Sequence, residues 1–280
     1  MNNVDSKTVK IGFVGAGNMA SSLIGGLIAK GFSGKNICAS DPYEASLQNV
    51  AKQFAVRTTA DNNEAIRDAD VIVLAVKPQV MKSVAENISS TLAKKNALVI
   101  SIAAGISLNS LQKWLGEKTA IVRCMPNTPA LVQLGATGMF ANKYVNDTQK
   151  QLAKNILDAV GISLWLKNEK ELDAVTALSG SGPAYYFLLM EAMIRAGIAQ
   201  GLDAETARQL TLQTALGAAT MAINSPDVPA ELRRKVTSPN GTTEQAIASF
   251  QKNHFEKIVE EALAAAAKRS VSLSEELGKN

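Results

Sequence analysis

The chain has 280 residues, more than one domain usually holds, so two domains are expected. Hydrophobic residues make up 46% and charged residues 19%, an ordinary globular mixture. A net charge of +4 without a long Lys or Arg run, and 5% aromatics without basic interleaving, argue against a nucleic-acid partner and suit small anions such as nucleotides or carboxylates. Cys38 and Cys124 each fall in an apolar run, which reads as buried structural thiols and not as a disulfide framework. Met1–Lys10 is polar and lacks the apolar region of a secretory signal. The most apolar helical stretch, Ala184–Ala199, is interrupted by Glu191 and Arg195 and does not read as a membrane span. A cytoplasmic protein that does not bind membranes is expected.

From residue 10 to about 168, apolar runs alternate with helical patterns. The runs are Ile11–Val14, Ile37–Ser40, Val71–Val76, Ala97–Ala103, Ala120–Met125 and Ile162–Leu166. Runs rich in Val and Ile without polar alternation suit strands covered on both faces. Asp61 with Glu64 has the spacing of a capping box, and Ser107 can cap a helix carrying Leu108, Leu111 and Leu115 that Gly116 closes. Val84, Ile88 and Leu92 form the stripe of another helix. The alternation predicts a Rossmann-type, doubly wound, mostly parallel sheet over residues 1–168.

Beyond Leu166 the strand signal ends. Residues 169–280 read as an all-helical domain with helices over Leu172–Leu178, Pro183–Gln200, Ala204–Ile223, Glu231–Val236, Thr243–Lys252 and Phe255–Leu277. Turn residues at Ser179–Pro183, Asn224–Pro229 and Ser238–Gly241 separate them. Ala184–Met190 is apolar almost all round, so its helix needs cover on more than one side, which a second subunit supplies.

Gly15-Ala16-Gly17-Asn18-Met19-Ala20 follows the first run and opens a helix with Met19, Leu23 and Leu27 on one face. This is the G-x-G-x-x-G/A dinucleotide fingerprint in its required context. Gly15 makes the tight turn, Gly17 lets backbone approach a pyrophosphate, small Ala20 permits close helix packing, and the helix N-terminus stabilises the phosphates. Asp41 ends the second strand, about 20 residues beyond Ala20, where an acid accepts the ribose 2′-hydroxyl of NADH and repels the 2′-phosphate of NADPH. An Asp that starts a helix before Pro42 is the equally good alternative.

Three further loops lie at strand ends: Ala75-Val76-Lys77-Pro78, Ser101-Ile102-Ala103-Ala104-Gly105 and Met125-Pro126-Asn127-Thr128-Pro129. Carboxyl ends of parallel strands are where such sheets bind ligands. Small residues there admit a flat nicotinamide ring, which Lys77 and Asn127 can orient; singly, each loop is also ordinary turn chemistry. In the helical part, Ser179-Gly180-Ser181-Gly182-Pro183 and Thr237-Ser238-Pro239-Asn240-Gly241-Thr242-Thr243 lead into helices. The second reads either as a helix start, with Thr242 and Gln245 in a capping box, or as an anion site of backbone N–H groups and hydroxyls for a substrate carboxylate.

The lone histidine, His254, has the surroundings of an exposed helix start and no sign of a catalytic role. There is no H-E-x-x-H, cysteine cluster or G-x-S-x-G, so neither metal hydrolysis nor triad chemistry is supported and no metal is expected. Reduction of a ketone needs a general acid or base. These loops offer amides and hydroxyls with Lys77 as the one candidate, which suits an iminium that already carries its positive charge.

Taken together, these segments resemble pyrroline-5-carboxylate reductase over essentially the whole chain. The most specific stretch is Pro229–Gln251, with Leu232, Val236–Thr243 and Ala246-Ile247; Gly15–Ala20, Ala75–Pro78, Arg123–Pro129 and Ser179–Ala184 are also family-like. Asn240 stands where a second glycine is common, a mild change because Asn tolerates positive φ. Asp41 departs from the phosphate-compatible residue, such as Ser, of members that prefer NADPH, so NADPH and NADH both remain open. Asn62, after the third strand, matches a position near the adenosine end. The resemblance implies hydride transfer from the nicotinamide to C5 of pyrroline-5-carboxylate, giving proline. It implies a substrate carboxylate held by Ser238, Asn240, Gly241, Thr242 and Thr243, and the substrate nitrogen near the Thr243 hydroxyl. It also implies homodimers of interlocked helical domains, assembled into a decamer of five dimers.

A β-hydroxyacid dehydrogenase of related layout is the main rival. Such enzymes resemble one another in a catalytic Lys early in the helix after the interdomain glycine motif, and Pro183–Met190 has none. An imine reductase of other substrate range differs chiefly in lacking the Pro229–Gln251 signature. A non-catalytic nucleotide-binding regulator would not need both sets of loops.

Overall fold

Branched side chains pack well on a pleated surface buried from both sides, and the Val- and Ile-rich runs become strands for that reason. A computed structural model of the chain describes Thr8–Gly278. The strands β1 (Ile11–Val14), β2 (Ile37–Ser40), β3 (Arg57–Thr59), β4 (Val71–Leu74), β5 (Leu98–Ser101), β6 (Ala120–Met125), β7 (Gly135–Ala141) and β8 (Gly161–Trp165) form one sheet in the order β3-β2-β1-β4-β5-β6-β7-β8. Only β6 and β7 pair antiparallel. The mostly parallel, doubly wound sheet expected from the alternation is therefore present.

Side chains leave alternate faces of each strand, which builds two cores. Ile11, Phe13, Val71 and Val73 meet Leu23, Ile24 and Leu27 of α1 (Asn18–Ala29), Val50 of α2 (Glu44–Phe54) and Ile156 of α6 (Asp147–Leu157). On the other face, Val14, Ile72 and Leu74 meet Ile66 of α3 (Asn62–Ile66), Ile88 of α4 (Met81–Leu92) and Leu111 and Trp114 of α5 (Leu108–Leu115). Ser107 caps α5 by accepting the Ser110 N–H at 3.1 Å, and Gly116 closes it at φ +114°.

Several local expectations need correction. Strands end earlier than their apolar runs, leaving Ala75-Val76 and Ile102-Ala103 in loops, and β8 starts one residue before its run. β3 and β7 are not among those runs. The Asp61–Glu64 capping box is half made: Asp61 accepts the Asn63 N–H at 2.8 Å, but Glu64 accepts the Thr59 hydroxyl instead of reaching back to Asp61. Ser179–Pro183 is not an open turn. After α7 (Glu171–Val175) the chain winds a π-helical turn over Thr176–Gly180, closed by Ser181 N–H donating to the Thr176 carbonyl at 2.8 Å.

The chain divides into two units, one running up to Ser181 and resuming at Ala266, the other spanning Gly182–Ala265. In the first, the Ser270 hydroxyl donates to Asp173 at 2.7 Å and ties the end of α12 (Phe255–Gly278) to α7. The second holds α8 (Gly182–Ala199), α9 (Ala204–Asn224), α10 (Pro229–Lys235), α11 (Thr242–Lys252) and the start of α12, close to the helices expected. Asp203 caps α9 by accepting the N–H groups of Glu205 and Thr206, and the Thr206 side chain first, then these N–H groups, hold its carboxyl below the usual range. Tyr186, Phe187, Leu188, Leu216 and Ile223 in α8 and α9 are exposed, Ile223 to 82%. Among the described residues, no helix is long and apolar enough to cross a membrane. The polar N-terminal stretch lies outside the described residues as far as Lys7.

Candidate active site

The glycine turn is built as its sequence requires. Gly15 has φ +101°, and a Cβ there would lie 2.7 Å from the Ala75 carbonyl oxygen, so a side chain is excluded twice over. Gly15 N–H donates to the Ser40 carbonyl and Ala75 N–H to the Val14 carbonyl, both at 2.8 Å, which brings the ends of β1, β2 and β4 together. Gly17 is the N-cap of α1, no side chain caps it, and a Cβ there would meet nothing within 4 Å. Asn18 is exposed and Met19 half-buried beside it, while Ala20 is buried against the core. Uncapped N–H groups at an open helix start fit the pyrophosphate of a dinucleotide.

Asp41 is buried, and its carboxylate accepts the Ala16 N–H and the Tyr43 N–H, each at 2.9 Å. Because α2 begins at Glu44 behind Tyr43, Asp41 is not its N-cap. The acid instead joins the end of β2 to the glycine turn, with lone pairs left over for a ligand hydroxyl. Asn62 Oδ1 accepts from the Ser40 hydroxyl at 2.8 Å, at the edge of an open cleft of about 510 Å³ lined also by Asp61, Ser83 and Asn87. Hydrogen bonds thus link the glycine turn, Asp41, Ser40 and Asn62 at the carboxyl ends of β1 and β2.

Loops extend from the neighbouring strand ends. After β4, Ala75 and Val76 are half-buried, Lys77 is exposed, and Pro78 opens a short 3-10 turn. After β5, Ala103 is buried, Ala104 half-buried, and Gly105 sits at φ +73°, where a Cβ would approach Leu273 and Leu277 to 3.1 Å. After β6, Asn127 is buried and its amide is engaged: Nδ2 donates to the Ser179 carbonyl at 3.0 Å and Oδ1 accepts the Ala136 N–H at 2.8 Å. Both cysteines are buried and unpaired, and burial pushes the Cys38 thiol up against the lowering pull of Arg57, and the Cys124 thiol further.

Sequence reasoning did not anticipate an ion pair between the buried Arg123 and the half-buried Glu169. Arg123 of β6 donates to Glu169 at 2.8 Å, and the same Glu169 oxygen accepts the Leu108 N–H at 2.7 Å. A lone charge inside the apolar run Ala120–Met125 was the available signal.

The Ser238–Thr243 cluster lies in the second unit and is built locally. Ahead of it, α10 is laced by Arg234 with Glu231 at 2.6 Å, and the Thr237 hydroxyl donates to the Arg233 carbonyl at 2.6 Å. Gly241 N–H closes a turn on the Ser238 carbonyl at 3.0 Å, with Asn240 at φ +59°, the conformation that Asn accepts in place of glycine. The expected Thr242–Gln245 capping box is not formed. Helix α11 starts at Thr242 itself, Gly241 takes the N-cap position without a side-chain bond, and Glu244 accepts the Asn240 N–H at 2.8 Å. Thr242 and Thr243 are exposed in the first turn. His254 is exposed at φ +55° between α11 and α12.

Known proteins share both halves. A family profile described as pyrroline-5-carboxylate reductase dimerisation matches residues 169–273, and one described as NADP oxidoreductase, coenzyme F420-dependent, matches residues 10–105. The pyrroline-5-carboxylate reductase of Pseudomonas aeruginosa is 57% identical over 97% of this chain and 99% of its own length. The structure of a pyrroline-5-carboxylate reductase from Coxiella burnetii superposes with a TM-score of 0.92 at 45% identity, covering 96% of this chain and 99% of that one. A Plasmodium falciparum pyrroline carboxylate reductase, solved with NADP bound, gives a TM-score of 0.85 at 35% identity over 96% of this chain and 99% of its own. Whole-length identity of this order makes this chain a member of the pyrroline-5-carboxylate reductase family.

Proposed function

We propose that the protein reduces 1-pyrroline-5-carboxylate to L-proline with NADPH or NADH, the last step of proline biosynthesis. The observation that carries the reading is its 57% identity to the Pseudomonas aeruginosa reductase over 97% of the chain. The glycine turn supports it independently, because an uncapped helix start with open space beside Gly17 fits a dinucleotide. When bound, the reduced nicotinamide would supply a hydride to C5 of the protonated imine: the electron pair of its C4–H bond forms the new C–H bond, and the C=N π pair moves onto nitrogen.

The residues then divide the work. Gly15, Gly17, Asn18 and Met19 hold the pyrophosphate, and Asp41 and Asn62 take the adenosine ribose. Ala75, Val76, Lys77, Pro78, Ala103, Ala104, Gly105 and Asn127 shape the place of the nicotinamide. Ser238, Asn240, Gly241, Thr242 and Thr243 form the turn that holds the substrate carboxylate, through hydroxyls and the uncapped N–H groups of Thr242 and Thr243 at the start of α11, and the Thr243 hydroxyl positions the imine nitrogen. No general acid is required at C5, since an iminium is already an electrophile. A cut at 168/169 separates these roles into a cofactor domain, 1–168, and a helical domain for substrate and dimerisation, 169–280.

The dimerisation profile over 169–273 goes with homo-oligomerisation, and the exposed apolar side chains of α8 and α9 call for a cover. The reading extends to a homodimer repeated five times as a decamer, working in the cytoplasm with no nucleic-acid or membrane partner. Turnover of pyrroline-5-carboxylate followed by cofactor oxidation, with proline identified as the product, is the test. Oxidation of neither NADH nor NADPH in the presence of that substrate would refute the reading.

A further inference from the structure

Arg123 and Glu169 lie far apart in sequence, and only the fold joins them. By strand alternation the Arg123 side chain leaves β6 on the same face as Ile121, and its side chain is 8% exposed. The Glu169 oxygen that receives it also receives the Leu108 N–H, the first N–H of α5. Leu108 stands three residues beyond Gly105, and Arg123 four residues before Asn127. One carboxylate oxygen therefore pins the loop after β5 and the strand that ends in the loop after β6. Desolvation of the buried guanidinium opposes the pair, and Glu169, 28% exposed, lets solvent weaken the attraction that would offset it. Stability alone is thus a poor reason for this pair to be here.

We infer that Arg123 and Glu169 are positioning residues for hydride transfer, holding the Ala103–Gly105 and Asn127 loops in register beneath the nicotinamide. The inference rests on the proposed function, which places the nicotinamide against those loops. A misplacement of about 1 Å remote from the reacting atoms can lower a rate ~100-fold, and a shared acceptor for two loops controls a displacement of that size. The adenosine end is held by separate residues, so cofactor affinity is set elsewhere.

The test compares three variants with the wild type: Glu169→Gln, Glu169→Ala, and Arg123→Met combined with Glu169→Met. Glu169→Gln keeps an acceptor for Leu108 and should retain turnover within about threefold, by the smaller cost of a change that preserves hydrogen bonding. Glu169→Ala leaves a buried guanidinium without its partner and should lose stability as well as rate. The double methionine variant removes that charge and should melt near the wild type. Its kcat should still be lower by ~10- to 100-fold, with cofactor KM little changed and a larger primary deuterium isotope effect from 4-deuterated cofactor. Full recovery of kcat and an unchanged isotope effect in a double variant of normal thermal midpoint would overturn the positioning role. A wild-type protein that binds dinucleotide but turns over no pyrroline-5-carboxylate would overturn the reaction and the inference together.

Discussion

The carboxylate of Asp41 accepts the backbone N–H of Ala16 at 2.9 Å, so the acid at the end of β2 is tied to the glycine turn. Substitution here touches two things at once: the shape of the glycine turn and the charge that the proposed function sets beside the ribose. Asp41→Ser should weaken both cofactors through the turn and spare NADPH part of the loss by removing a repelling charge. A charge-assisted hydrogen bond is worth about 1.5–3 kcal/mol, so the NADPH to NADH ratio of kcat/KM should rise by ~10-fold or more. Steady-state kinetics with each cofactor measures it. Equal losses for both would leave Asp41 as an anchor of the turn alone.

Ser101 ends β5 with a hydroxyl that is buried and, among the described residues, lacks a hydrogen-bond partner. Such a group costs its desolvation and gains nothing in return. Ser101→Ala should leave the thermal midpoint unchanged or raise it, by up to about 1 kcal/mol of stability. A clear drop in the midpoint would mean that the hydroxyl is bonded in solution, for example by a buried water.

The association state follows from the surface of the second unit. Phe187, Leu188, Leu216 and Ile223 are exposed on helices rich in small apolar residues, a surface that a lone chain does not keep in water. Sedimentation at assay concentration should give a dimer or a multiple of it, with activity falling on dilution below the association range. A stable and fully active monomer would contradict this.

About the sheet, the sequence spoke clearly where physics was local. Val71–Leu74 or Ala120–Met125 has no way to be satisfied except in a covered strand, and Ser107 and Gly116 mark both ends of α5. It spoke poorly about β7, whose small residues Gly135, Ala136 and Gly138 look like a loop until neighbouring elements supply the packing. The π-helical turn was hidden because Ser, Gly and Pro are also turn residues. Within the site, the glycine turn was legible from spacing, whereas the bond between Asp41 and Ala16 was not. Nor was the oxygen shared by Arg123 and Leu108, since both are set by how distant segments meet.

Thr243 is the most direct probe of the chemistry. No side chain caps α11, so the hydroxyl is not spent on starting the helix, and Thr243→Ala should cost less than the ~1 kcal/mol of a lost cap. As the group proposed to position the imine nitrogen, it should nonetheless matter for rate: turnover should fall ~10- to 1000-fold while cofactor affinity stays near its original value. Measuring kcat, KM for pyrroline-5-carboxylate, cofactor affinity and thermal midpoint on one preparation decides it. Normal turnover in this variant would remove Thr243 from the site.

The π-helical turn at Thr176–Gly180 carries one residue more than an α-helical path would use, and Asn127 reads where that residue falls by binding the Ser179 carbonyl. Deleting a residue from this turn ahead of Gly180 would let the helix run on with better internal hydrogen bonds, yet would swing the carbonyls beyond it by about 100° around the axis and draw them back by about 1.5 Å. Length in this segment is therefore constrained more tightly than side-chain identity. Neutral drift should tolerate substitutions between 176 and 180 far more readily than gaps, the reverse of what is expected for an ordinary connecting loop.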